Sequence, residues 1–370
     1  MIRYLFSFLF LILFVFSSNA QYRKEIQIPD IPGFVTLKCD FHIHTVFSDG
    51  NVWPTVRIRE AWEQGLDAIA ITDHIEYRPH ADDIKKDLNR SYEIAKPAAD
   101  QAGIMLIRGT EITRKMPPGH LNALFITDAN KIEVDDWFEA CRKAKNQGAF
   151  IFWNHPGWKA QQPEKTLWWE EHTRLYDAGL MNGIEAYNSD EYYPEALQWS
   201  REKGLAILAN SDIHDPIGYN YDPAVTHRPV TLVFAAEKSV DAIKKALENR
   251  QTAIYFEDKL VGEKKFLEPI FKASVKVISA PAKLENKKTR YVMVHNSSDV
   301  DFILKSTQNS VGYSYKKEVI LKANRTTMID LSGKSEDVKN QLVFNLEYEV
   351  KNLVIAPEEC LKVGIEVANK

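Results

Sequence analysis

The sequence predicts an α/β protein, a parallel barrel or doubly wound sheet, followed by a β-sandwich. Three observations carry this. Between about 36 and 256, short β-rich runs alternate with stretches that have apolar residues at helical spacing. A Gly separates helix from strand in QGLD, QAGI, QGAF, DAGL and EKGL, where a helix C-terminus prefers one. After about 265 no long helical pattern is read, and short runs alternating apolar and polar residues take over, as half-buried antiparallel strands do.

The strands of the first part are LKCDFHIH (37–44), LDAIAITDH (66–74), IMLIRGTEI (104–112), HLNALFI (120–126), GAFIFWNH (148–155), GIEAYN (183–188), LAILANSDIH (205–214) and PVTLVFA (229–235). TVRIREAWEQG, DIKKDLNRSYEIAKPAADQAG and SVDAIKKALENR read as helices with charged outer faces. The strands VKVISAP, TRYVMVHNSS, DFILKST, KEVILKANRTTMIDLS, LVFNLEYEV and KVGIEVAN make 266–370 a β-sandwich domain with no cluster for chemistry, and leave 21–265 as the α/β domain. Residues 1–20 read as a secretory signal: Arg3, an apolar run from Tyr4 to Phe16, then Ser18-Asn19-Ala20 before cleavage. That run is too short to cross a bilayer, which needs about 20 residues. The expected mature protein is exported, periplasmic or extracellular, with no membrane anchor.

Composition narrows the partners. Net charge is −4 over 370 residues, which offers no basic footprint for a specific nucleic-acid partner. Cys39, Cys141 and Cys360 are scattered and imply no disulfide framework.

The chemistry lies at strand ends. The first strand closes on Asp40-Phe41-His42-Ile43-His44, followed by Ser48-Asp49-Gly50, and residues two apart in a strand face one side. The second ends in Asp73-His74, the third in Thr110-Glu111, and others in Asn154-His155 and Asp212-Ile213-His214. His120 is the exception, because it begins its strand. In a parallel barrel the C-terminal strand ends form one rim, so these groups converge as a metal site. Arg228 and Arg78 are candidate phosphate clamps, as a guanidinium matches phosphate oxygens bidentately, and His227 is a possible helper. His80, His172 and His295 fall off the pattern and read as surface residues. Trp158 and the loop Gly218-Tyr219-Asn220-Tyr221 either wall a pocket or pack between the two domains.

The ordered set HIHTVFSDG, ITDH, GTEI, GHLN, NHP and NSDIH, from about 38 to 256, resembles the PHP (polymerase and histidinol phosphatase) superfamily of metal-dependent phosphoesterases. The resemblance implies a distorted (β/α)7 barrel and two or three divalent metal ions, Zn, Mn or Fe. It gives His42, His44, Glu111 and Asp212 to a first metal and Glu111, His120 and His155 to a second. Asp49, His74 and His214 go to a third; some family members carry a His where this chain offers Asp49. It also implies attack on phosphorus by a metal-activated hydroxide, with Glu111 and Asp212 catalytic; Arg228 joins them as a catalytic candidate on the guanidinium argument above. The substrate would be a phosphorylated small molecule or a diester. The chain is similar to exported phosphodiesterase-like members with a β-rich C-terminal extension, which places diester ahead of monoester. Two other readings remain open to this sequence. An amidohydrolase-like barrel also begins His-x-His but usually bridges its metals with lysine or carbamate, where this chain has Glu111. A non-catalytic barrel with a binding sandwich would have no need of nine ligands.

Overall fold

The computed structural model describes residues 22–222, 225–278, 283–307 and 310–369, so the expected signal, 1–20, lies outside the described residues. The first domain runs β1 (Val35–Asp40), α1 (Pro54–Glu63), β2 (Ala68–Ile71), α2 (Arg90–Ala102), β3 (Met105–Ile112), β4 (Leu121–Leu124), α3 (Trp137–Asn146), β5 (Phe150–Trp153), α4 (Glu170–Asp177), β6 (Gly183–Asn188), β7 (Glu191–Tyr192), α5 (Pro194–Lys203), β8 (Ala206–Asn210), β9 (Val230–Ala235), α6 (Val240–Glu248), β10 (Thr252–Phe256) and β11 (Lys259–Gly262). Then come α7 (Lys264–Ser274), β12 (Val275–Val277), β13 (Thr289–Asn296), β14 (Phe302–Ser306), β15 (Tyr313–Tyr315), β16 (Glu318–Leu321), β17 (Arg325–Gly333), β18 (Val343–Ala356) and β19 (Glu359–Ala368).

The barrel order is β9-β1-β2-β3-β4-β5-β6, with β8 on β6. β1, β2 and β3 are mutually parallel, as are β5, β6 and β8. β4 is antiparallel to both β3 and β5. This reversal answers the exception noted for His120. A residue that begins an antiparallel strand sits at the rim where its parallel neighbours end. Closure between β8 and β9 uses a side chain: the Thr231 hydroxyl donates to the Ala209 carbonyl at 2.8 Å and accepts from its N–H at 2.9 Å.

The barrel interior is apolar at the far end. Leu37, Phe150, Phe152, Leu208 and Val233 pack there with Ile243 and Leu247 of α6, so α6 plugs the end opposite the metal-type residues. Cys39 is fully buried in this layer, and none of the three cysteines is paired.

The sandwich consists of the sheet β12-β13-β17-β15 facing β16-β14-β18 with β19. It is continuous with the barrel, because β18 pairs in parallel with β11 through Leu260–Leu353 and Val261–Val354. The span from 266 also differs from the sequence reading in its first residues, which are helical. In α7, Phe266, Leu267, Ile270 and Phe271 are buried at helical spacing, with Phe266 stacked on Phe234 at 4.5 Å. Pro269 inside this helix removes one backbone donor, which obscures the pattern at the level of sequence. Among the described residues no helix is long and apolar enough to cross a membrane.

Candidate metal centre

Backbone pairing beyond the strand ends assembles the site. The segments after β1 and β8 bridge in parallel at Ile43 and Ile213; His44 N–H donates to Ile213 at 3.1 Å and Asp212 N–H to His42 at 2.9 Å. A second parallel bridge joins His74 to Glu111. The His42-Ile43-His44 and Asp212-Ile213-His214 segments are therefore placed side by side by main-chain bonds, independently of any ion.

Buried side chains with no bracing role assigned from the sequence hold these segments. Asp73 accepts from Thr45 N–H at 2.7 Å and from the Thr45 and Ser48 hydroxyls, closing the loop that carries Asp49. Gly50 is required at the loop's close approach, since a Cβ there would lie 2.8 Å from the His44 carbonyl carbon. Arg57, fully buried, donates to the carbonyls of His44, Ile213, His214 and Asp215. One guanidinium thus ties the first strand's loop to the last. Such contacts carry no local signature, because the partners are up to 158 residues apart.

All nine residues proposed from the sequence meet at one place. His42 Nε2 lies 3.1 Å from Glu111 Oε2 and 3.1 Å from Asp212 Oδ1, and His44 Nε2 lies 3.2 and 3.0 Å from the same two atoms. His120 Nδ1 and His155 Nε2 face the other oxygen of Glu111 at 2.8 and 3.8 Å. Asp49 Oδ1 lies 3.2 Å from His214 Nε2 and 3.5 Å from His74 Nε2. The donors fall into overlapping sets: His44, Asp49, His74 and His214; His42, His44 and Asp212; His42, Glu111 and His155; His74, Glu111 and His120. Glu111 is thus shared between sets.

The donor atoms fit cations. His44 Nε2, Asp49 Oδ1, His120 Nδ1 and Asp212 Oδ1 are buried without a hydrogen-bond partner, although each faces another donor atom of the cage. Buried polar atoms left in this way are costly, and a divalent ion would satisfy them together. Two of the nine residues sit in left-handed backbone, His155 with φ 28° and Asp212 with φ 50°. Such strain outside glycine costs about 1–3 kcal/mol and is found at functional sites.

Electrostatics in the protein alone agree. Burial would push Glu111 and Asp212 up, but the surrounding imidazoles, His74 and His42 foremost, hold both well below the carboxylate range. Burial opposes charge on His42 and His44 as well, yet Asp212 and Glu111 raise both, His44 to about 9. The cage is a set of ionised carboxylates that draws positive charge inward.

A further shell orients the ligands. Glu185 on β6 accepts from His42 Nδ1 at 2.9 Å, Asn210 at 2.8 Å, Asn188 at 2.9 Å and His155 N–H at 2.7 Å. With the Nδ1 proton held by Glu185, Nε2 is the nitrogen that His42 would offer to a cation once the ring is neutral. Asn154 donates to Glu111 Oε1 at 2.9 Å. A carboxylate in the middle of the buried run GIEAYN was the available signal for Glu185.

Above the cage lies a cavity of about 620 Å³, lined in part by Asp212, His214, Trp158, Tyr77 and Tyr193. Trp158 therefore belongs to the pocket, while Tyr219 is exposed and Tyr221 buried away from it. The phosphate-clamp reading of Arg228 is corrected. Its side chain is buried, pairs with Asp40 at 3.0 Å and donates to Gln64 at 2.8 Å, outside the cavity. Asp40 in turn takes the Ser211 hydroxyl at 2.5 Å, so Arg228 braces the strand end before Asp212. Arg78 pairs with Glu133 and is also outside the cavity. His227 is stacked on Tyr255 and His172 on Trp153, and burial pushes each down to about 4. His172 is thus a core residue rather than a surface one, and His80 and His295 are half-buried.

Comparison with known proteins finds two family models in the chain. A PHP domain family model matches residues 40–211, and an Ig-like domain model matches 275–366. A crystal structure of a two-domain protein from Bacteroides vulgatus, described as containing a predicted PHP-like metal-dependent phosphoesterase, is 46% identical. It aligns over 94% of this chain and 100% of that one, with a TM-score of 0.88. An uncharacterized protein of Methanocaldococcus jannaschii is 29% identical over 49% of this chain and 83% of its own length. A 5'-3' exoribonuclease of Haemophilus influenzae is 34% identical over 79 residues, so this chain spans 24% of that relative.

Proposed function

Because the chain belongs to the PHP superfamily of metal-dependent phosphoesterases, we propose that it hydrolyses a phosphate ester, diester ahead of monoester, at a centre of two or three divalent metal ions. The observation that supports this most is the shared position of Glu111, whose two oxygens face different histidines of one buried cage. His42, His44, Glu111 and Asp212 would hold one ion, Glu111, His120 and His155 a second, and Asp49, His74 and His214 a third. Mixed imidazole and carboxylate donors suit Zn, Mn or Fe. Cations there would supply Lewis acidity, which makes water nucleophilic near neutral pH and offsets charge on phosphoryl oxygens.

The chain's own groups do the rest. Glu185 keeps the His42 proton on Nδ1 and away from the cage. Asn154 holds Glu111 in the orientation in which its two oxygens face different histidines. Asp212 and His214, partly exposed to the cavity, would face an arriving phosphoryl group. Trp158, edge-on to His155 at 5.3 Å, walls the cavity on that side.

Residues 1–20 would direct export to the periplasm or outside the cell, which the N-terminus of protein recovered from fractionated cells tests directly. The acidic net charge goes with a phosphorylated small molecule or diester as substrate, without a specific nucleic-acid partner. The function itself is tested with nitrophenyl phosphate mono- and diesters beside an amide and a carboxylate ester. Turnover of phosphate esters that stops on chelation and returns with metal is expected. Turnover of the amide or carboxylate ester alone would overturn the reading.

A further inference from the structure

The cavity above the cage has an uneven chemistry. Among the described residues that line it, none is Lys or Arg. The arginines closest in sequence to the rim are engaged elsewhere: Arg78 with Glu133, Arg114 with Glu76 and the Val134 carbonyl, Arg228 with Asp40. Negative side chains do face the cavity. The β6–β7 hairpin turns through Ser189 and Asp190, with Asn188 paired to Glu191, and presents Asp190 and Glu191 to the lining. The Tyr193 hydroxyl donates to Glu191 at 2.5 Å and fixes that carboxylate.

Flat surfaces complete the wall. Trp158 stands over His155 and His120, at 5.3 and 5.8 Å between rings, and is 39% exposed. Tyr77 stands over His74 at 6.0 Å and is 55% exposed. These rings flank different histidines of the cage and leave their outer surfaces free.

We infer that the substrate's organic group is flat and carries no second negative charge, with a positive charge tolerated or favoured. This rests on the phosphoesterase reading above. A ligand with two anionic groups needs a cationic fork for the one that lies off the metals. Here that second group would meet Asp190 and Glu191, and like charges brought together in a partly dry pocket repel. Aromatic faces instead stack on planar groups and attract cations.

The experiment uses full-length, metal-loaded protein and six esters: benzyl, 4-carboxybenzyl and 4-(trimethylammonio)benzyl phosphate, and the p-nitrophenyl diesters of the same alcohols. Within whichever series is turned over, kcat/KM for the carboxybenzyl ester falls at least about tenfold below the benzyl ester, mostly through KM. The trimethylammonio ester equals or exceeds the benzyl ester. Replacing both rim acids, Asp190→Asn with Glu191→Gln, brings the carboxybenzyl ester to within about threefold of benzyl, as expected when the repelling charges are gone. Equal or preferred use of the carboxybenzyl ester by the unaltered protein overturns this inference and leaves the phosphoesterase reading standing. No turnover of any of the six overturns that reading, and this inference with it.

Discussion

Glu185→Gln keeps the shape of a side chain that never faces the substrate cavity and changes only its hydrogen bonding. Each Glu185 oxygen accepts two hydrogen bonds, Oε1 from His42 Nδ1 and Asn210, Oε2 from the His155 N–H and Asn188. An amide offers one accepting atom, so whichever way it turns, two buried donors face an NH2 group. If the oxygen stays with His42, the His155 N–H is stranded, at a cost of about 1–3 kcal/mol. If it turns to His155, His42 loses the acceptor that fixes its tautomer. Either way, loss of a carboxylate behind a ligating histidine costs about 10–100-fold in metal affinity, or ~1.4–2.8 kcal/mol. The assay is competition for metal against a chromogenic chelator, with thermal unfolding of the metal-free and loaded forms alongside. The variant should lose affinity by that factor and unfold earlier in both forms. Affinity within about twofold of the unaltered protein would refute the role given to Glu185.

Two further outcomes follow from the same geometry. Arg228→Lys keeps a cation beside Asp40 but loses the Nε bond to Gln64; stability should fall by about 1 kcal/mol in thermal unfolding with KM unchanged, whereas a phosphate clamp would show the reverse. In the metal-free protein His44 is held up to about 9, from an ordinary 6.5, so its ion pairs stabilise the fold fully below 6.5 and fade as pH rises through about 9. A cation needs the neutral ring, so metal uptake should release protons across that window and apparent affinity should rise with pH until about 9. Calorimetric titration in two buffers of different ionisation enthalpy measures the release, and none at a pH of about 7.5 would contradict it.

Much of the site was legible because its residues end predictable strands. His-x-His and Asp-x-His are local patterns, and the topology only had to bring two of them together. His120 looked anomalous until β4 proved antiparallel, which no stretch of four residues announces. Arg57 and Glu185 escaped notice for a different reason, as did the bracing role of Asp73. Their meaning lies in hydrogen bonds to distant loops, and in isolation a buried charge cannot be told from a solvated one. Arg228 was misread on the same ground: it opens a strand at the rim, but its side chain turns down to Asp40. The helix α7 was missed because Pro269 interrupts an otherwise helical spacing, while the sandwich strands, alternating cleanly, were not.

In the proposed centre one buried carboxylate, Glu111, joins separate ions. Metal content by elemental analysis, measured on the purified protein and on Glu111→Gln in parallel, addresses this directly. The unaltered protein should carry more than one divalent ion per chain, and the variant should lose at least two along with phosphate-ester turnover. A variant that retains its full metal complement and full turnover would contradict the claim.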